Sequence, residues 1–172
     1  MRVLFRIDHL QDTGAIPVIV QSDLRPEWGQ LSVTANYFWS PDGHNATNVE
    51  TKEVHLDVAA GQTLRFRLRA NPTKKAMDGR RLGILREPEQ LSWLSRKGRA
   101  GGFRPVTVSV VNEGLREIRG RMAPGASPIR MLSILFEGRI SVTESASFVR
   151  TVEDGIGSGK GFGFGLLSVA AG

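Results

Sequence analysis

The chain has 172 residues, 40% of them hydrophobic, no cysteine and a formal net charge of +6. This composition suits a soluble protein with one or two small cores, and no apolar run approaches the roughly 18 residues that a membrane-spanning helix needs. It also excludes a disulfide scaffold, a thiolate metal site and a cysteine nucleophile. Residues 1–60 hold four Lys and Arg against eight Asp and Glu, whereas residues 61–172 hold nineteen against nine. Cations gathered in one part of a chain point to a polyanionic partner, nucleic acid first, with a solvated basic surface of no specific role as the alternative. No leader-like segment opens the chain, and a cytoplasmic setting is expected.

In chain order the pattern predicts a strand over 2–8, a turn at Asp12-Thr13-Gly14, a strand over 16–21, a short helical or irregular piece over 25–31 and a polar loop region over 36–53. In the next strand, over 63–70, Leu64, Phe66, Leu68 and Ala70 alternate with Arg65, Arg67 and Arg69. A period of two buries the apolar set and presents the guanidinium groups on the other face, as a candidate phosphate track. The track continues past Asn71-Pro72 into Lys74, Lys75, Arg80 and Arg81. A strand over 80–85 precedes a helix near 88–97, with Pro88 in its first turn, Leu91 and Leu94 inward and Gly98 at its end.

Strands over 104–112, 115–121 and 130–142 follow. Arg116, Arg119, Arg121 and Arg130 bracket the turn-rich segment 123–128, which reads as a β-hairpin with a basic tip. Charge that protects sheet edges from aggregation is the alternative for both basic clusters. A helix over 145–154 is expected to be capped by Ser145 and stopped by Gly155, with Phe148, Val149 and Val152 on one face, and a last strand covers 163–170. If 104–121 is one long or broken strand, the second half spells β-α-β-β-α-β, the ferredoxin-like order.

Six glycines fall on every second residue from Gly155 to Gly165, in the run GIGSGKGFGFG. Lacking Cβ, such a backbone can press its N–H groups against a ligand, and Lys160 adds a cation, so a phosphate chain is the natural candidate. An approach to a strand that merely tolerates its glycines is the alternative. The phosphate-loop motif fails here, because Asp154 and Gly161 stand where it needs a glycine and a Ser or Thr. The dinucleotide fingerprint fails as well, since this run follows a helix and opens a strand. No HExxH and no His, Asp and Glu cluster at metal-ligand spacing is present, so no metal site is expected. His9 at a strand end, His44 in a turn, His55 between Val54 and Leu56, and the lone Tyr37 in a polar loop all have ordinary structural readings before a catalytic one.

Five segments carry a family resemblance: LRFRLRANPTKK at 64–75, RRLGILREPEQLSWL at 80–94, GGFR at 101–104, ILFEGRISV at 134–142 and GIGSGKGFGFGLLSVA at 155–170. Together, and in this order, they resemble the CasE family, the CRISPR-associated endoribonucleases of the type I-E Cascade system. The resemblance implies an α+β fold of tandem ferredoxin-like (RNA-recognition-motif-like) units. Residues 1–75 would form the first, incomplete at its N-terminus, and residues 76–172 the second, with the glycine-rich loop.

The family implies binding to the stem-loop of the CRISPR repeat RNA, pre-crRNA processing by attack of a ribose 2′-hydroxyl on the adjacent phosphate, which expels the next nucleotide's 5′-oxygen to leave a 2′,3′-cyclic phosphate and a 5′-hydroxyl, and assembly with other Cascade subunits. No metal, cofactor or membrane is implied. Carried over by position, Lys160 and the amides around Gly157, Gly159 and Gly161 would hold the scissile phosphate, Gly163 would join the RNA-binding loop, and the hairpin of Arg116, Arg119, Arg121 and Arg130 would lie against the RNA stem. In the family an opening strand and helix carry the tyrosine and histidine of cleavage, and this chain starts at Met1-Arg2-Val3, inside what resembles the next strand. A subunit or fragment that holds the repeat RNA without cutting it therefore stands beside the endoribonuclease reading. An unrelated basic RNA-binding domain, indifferent to hairpins, is a third.

Overall fold

The structure is a computed structural model that describes residues 2–8, 16–27, 50–118 and 128–172. Strands β1 (Val3–Ile7) and β2 (Val18–Ser22) pair antiparallel, Val3 opposite Ser22 and Ile7 opposite Val18. The expected irregular piece and polar loop lie largely outside the described residues, as do His9, Tyr37 and His44. Strand β3 (Thr63–Ala70) follows, then the short strands β4 (Thr73–Lys75) and β5 (Arg81–Gly83), helix α1 (Glu87–Ala100), strands β6 (Phe103–Ile118) and β7 (Ile129–Val142), helix α2 (Ser145–Asp154), a 3₁₀ turn at Lys160–Phe162 and strand β8 (Leu167–Ala171).

Four of these strands form one antiparallel sheet in the order β6-β7-β3-β8. With α1 between β3 and β6, and α2 between β7 and β8, this is a complete ferredoxin-like unit. The core lies on one face of the sheet. Leu64, Phe66, Leu68 and Ala70 of β3, with Ile134, Phe136 and Ile140 of β7, pack against Trp93 and Leu94 of α1 and Phe148 of α2. Trp93 stacks on Phe136 with ring centroids 6.1 Å apart. Among the described residues no helix is long and apolar enough to cross a membrane.

The strand that opens this unit is β3, and not the one expected over 80–85. Residues 81–83 instead pair with 73–75 in a separate two-stranded ribbon. The burial pattern supplies the reason: β3 has four apolar residues on one face to bury, whereas all three residues of β5 stay exposed. A boundary after residue 75 would separate β4 from β5, and β3 from its partners β7 and β8. The sheet therefore claims the chain from residue 63 onward.

The helix ends follow local chemistry. Pro88 sits in the first turn of α1 with Glu87 and Glu89, and Lys97 and Arg99 occupy the last turn, so both ends complement the helix dipole. A Cβ on Gly98 would lie 2.6 Å from the Phe103 carbonyl oxygen, so glycine there lets β6 start tight against the helix. At α2 the cap is Glu144, one residue ahead of the expected Ser145: its carboxylate accepts from the Ala146 and Ser147 amides at 2.9 and 2.7 Å. A carboxylate holding two amides offsets more of the unpaired N–H charge than one hydroxyl can, and its own pKa is held below the usual range by the Ser147 hydroxyl and then by those two amides. Strand β6 is continuous where two strands were expected, with register shifts at Pro105/Thr107 and Asn112/Gly114.

Candidate nucleic-acid interface

The glycine run turns the chain from α2 into β8. Five of its six glycines, Gly155, Gly157, Gly159, Gly163 and Gly165, have φ between 71° and 89°. The loop's own packing requires several of them. A Cβ on Gly165 would stand 2.7 Å from the Ile156 carbonyl oxygen, while one on Gly157 would meet Trp93 at 3.1 Å and one on Gly163 would meet Phe5 at 3.1 Å. Gly161 differs, because nothing lies within 4 Å of its Cβ direction and its φ is not positive. The glycine periodicity is thus mostly architectural, and Gly161 is the point where the loop leaves space for a ligand. Around it, left-handed Gly159 leads directly into the 3₁₀ turn at Lys160, a step that turns successive N–H groups toward one concavity.

These two glycines make opposite predictions. Gly165→Ala is expected to lower stability by about 1–3 kcal/mol through backbone strain, and Gly161→Ala to leave it unchanged, as read by urea denaturation.

Lys160 is half-buried, and its Nζ donates to the carbonyl of Asp154 at 2.6 Å, at the C-terminal end of α2. Burial first, then the nearby positive charges of Arg2 and Lys97, hold its ammonium below its ordinary pKa. Asp154 is ion-paired with Arg2 through its carboxylate. Lys97 lies 5.9 Å from the centroid of the Trp93 ring, which itself faces Gly157. Three cations, from the residue before β1, from α1 and from the loop, therefore converge here, and an arriving anion would relieve their mutual repulsion.

The loop also touches the root of the basic hairpin. A Cβ on Gly159 would meet Met131 Sδ at 3.0 Å, and Met131 is the register partner of Arg116 across β6 and β7. Arg116 and Arg130 are exposed, with counterions Glu113 at 3.4 Å and Glu117 at 3.7 Å. Arg119 and Arg121, assigned to the hairpin tip, lie outside the described residues. Lys74 is exposed on the β4–β5 ribbon and pairs with Glu89 at 2.6 Å, which lowers the Glu89 pKa, and Lys75 is exposed beside it.

The arginine row of β3 divides. Arg69 is buried, and its guanidinium forks onto Glu113 with two bonds of 2.8 Å and donates to the Ile7 carbonyl at 2.5 Å. It is a strut between hairpin β1–β2 and the sheet, and it is withdrawn from the phosphate track. The alternation that placed it outward holds for its direction, but β1 and Glu113 cover that end of the face. Arg67 is half-exposed and salt-bridged to Glu137 at 2.5 Å, and Arg65 is exposed. Both stand on the face of the sheet away from the helices, and Arg65 is about 17 Å along β3 from its glycine-loop end. His55 is exposed beside Glu53 at 3.3 Å, so it supplies no buried acid–base pair. No group of three or more His, Asp or Glu at metal-binding distance occurs among the described residues.

Sequence reading missed Arg2, Lys97 and Arg139. Lys97 was legible as the residue four positions after Trp93 on the same helix face, whereas Arg139 shows only through its register partner Arg65.

Comparison with known proteins decides the family. A family model described as CRISPR associated protein matches residues 1–171. The chain belongs to this CRISPR-associated family, in its CasE branch. It is 33% identical over 179 residues to CRISPR-associated endoribonuclease Cse3 of Thermus thermophilus, covering 98% of this chain and 80% of that protein. It is 33% identical over 138 residues to the CRISPR system Cascade subunit CasE of Escherichia coli, covering 73% of this chain and 66% of that one. A solved structure of CRISPR endoribonuclease Cse3 bound to a 19-nucleotide RNA superposes with a TM-score of 0.83 at 32% identity, over 98% of this chain and 80% of that chain. These relatives bear out the expected CasE resemblance and the expected tandem ferredoxin-like fold class.

Proposed function

We propose that this CRISPR-associated chain binds the stem-loop of a CRISPR repeat RNA and serves in pre-crRNA processing as a subunit of type I-E Cascade, in the cytoplasm. The observation that carries the reading is the junction of the glycine loop with the hairpin root: Gly159 against Met131, Met131 opposite Arg116, and Lys160 one residue on. A duplex stem laid along the exposed arginines of the hairpin would bring its base to the concavity around Gly161. Phosphate contacts of this kind give affinity and orientation more than sequence discrimination. The relatives named above, an endoribonuclease, a Cascade subunit and an RNA-bound structure, support the same assignment.

In the chemistry that the family implies, negative charge builds on the phosphate as the 2′-oxygen attacks. Lys160 would exchange the Asp154 carbonyl for a phosphate oxygen, and the amides of the 159–161 step would donate to the same group. The neighbouring charges of Arg2 and Lys97 strengthen the field at that point.

The stem assignment is tested on Arg116→Ala with Arg130→Ala. The double variant is expected to bind repeat stem-loop RNA more weakly, with a plot of log affinity against log salt shallower by roughly 1.5–2. A gel-shift titration at several salt concentrations reads this directly. An unchanged slope removes the hairpin from the RNA footprint.

A further inference from the structure

The face of the four-stranded sheet turned away from the helices carries an unresolved electrostatic conflict. Of the three β3 arginines, Arg69 is neutralised by Glu113 and Arg67 by Glu137. Arg65 instead stands directly opposite Arg139 of β7, in register, with no ion pair to either residue among the described ones. Like charges directly opposite on one sheet face are destabilising, with Cβ atoms about 5 Å apart. Arg65 is held in place by its Nε, which donates to the Ala171 carbonyl at 3.1 Å. Arg104 adds a third exposed cation: its register partner Ser141 is two residues from Arg139 on the same face of β7. Arg65 and Arg139 border an open cleft of about 600 Å³ whose lining also includes Arg6, Thr107, Glu137 and Ser168.

We propose that Arg65 and Arg139 form a phosphate clamp for the backbone of single-stranded RNA that flanks the bound stem. The clamp rests on the stem-loop reading above and extends it along the sheet, away from the glycine-loop end. Two guanidinium forks matched to one phosphodiester turn the repulsion between them into attraction. The hydroxyls of Thr107 and Ser168 supply neutral donors alongside. Parity along the strands places no aromatic side chain on this face among the described residues, so bases have no stacking platform and the contact follows the backbone, not the sequence.

The test compares the repeat stem-loop alone with the same stem-loop carrying its native single-stranded flanks, on wild type and on Arg65→Gln with Arg139→Gln. The double variant is expected to lose about tenfold in affinity for the flanked RNA and to show a salt slope shallower by about 0.7, as for one single-strand phosphate. Its affinity for the bare stem-loop is expected to be unchanged, and its melting temperature at low salt unchanged or raised, because a like-charge pair has been removed. Equal losses on both RNAs, or none on the flanked RNA, overturn the clamp. So does polyglutamate that binds the wild type but not the variant while flank affinity stays intact, which would give the face to an acidic polypeptide. Failure of the wild type to bind the bare stem-loop would overturn the underlying stem-loop reading instead.

Discussion

Replacing Glu113 with alanine is expected to lower the stability of the fold by about 3–5 kcal/mol, among the largest effects of any single polar substitution in this chain. The Arg69 and Glu113 side chains are only 5% and 8% exposed, and the pair shares two bonds of 2.8 Å. Ser133 donates a third bond to the same carboxylate at 2.5 Å, and Arg116 approaches it at 3.4 Å. Removing the carboxylate leaves a buried guanidinium with, among the described residues, the Ile7 carbonyl alone to accept from it. Urea denaturation of Glu113→Ala and of Arg69→Met, which removes the other charge without a large loss of volume, measures the effect. A loss under about 1 kcal/mol in both would show that the pair is not held in the interior.

The same carboxylate gives a pH dependence. Burial alone would raise the Glu113 pKa, but the hydrogen bonds from Arg69 and Ser133 and the charges of Arg69 and Arg116 outweigh it and hold the carboxyl below its ordinary value of 4.5. A depressed pKa in the folded state means that stability is fully present above that ordinary value and is lost as pH falls through the folded one. Wild type is therefore expected to lose stability below about pH 4.5, and Glu113→Ala to lose less over that interval.

On the proposed function, Lys160→Ala in an enzyme that also carries the family's opening strand and helix is expected to slow repeat-RNA cleavage by about 10²–10³ while changing affinity far less, because the ammonium would act where charge develops and the hairpin arginines would supply most of the hold. Single-turnover cleavage and a binding titration on the same RNA separate the two. An equal loss in both would make Lys160 a general RNA contact. Since its Nζ also caps the C-terminal end of α2 through the Asp154 carbonyl, the variant's melting temperature is measured alongside.

Much of the second unit was legible in the chain. Helix α2 was read residue for residue, because an amphipathic stretch with Phe148 at its centre runs into a glycine that can only end it. Strand β3 was equally plain from its strict alternation. What alternation could not show was the partner across the sheet. Arg69 points where period two puts it, yet a strand more than sixty residues upstream supplies its acceptor, and Glu113 arrives from the far end of β6. The opening strand of the unit was misplaced because hydrogen-bond partners, not local propensity, decide which apolar strand becomes central. The glycine run stood out in the sequence, but its periodicity reflects the close approach of Phe5, Trp93 and Ile156 as much as any ligand. Arg139 went unnoticed because a charge on one strand becomes informative only when its register partner is known.

The most direct test of the account is a gel-shift titration of this chain with its own CRISPR repeat stem-loop, in EDTA, against a linear RNA of the same composition. The account predicts tight binding of the stem-loop, unaffected by EDTA, with at least tenfold weaker binding of the linear RNA. Equal affinity for the two RNAs would contradict it.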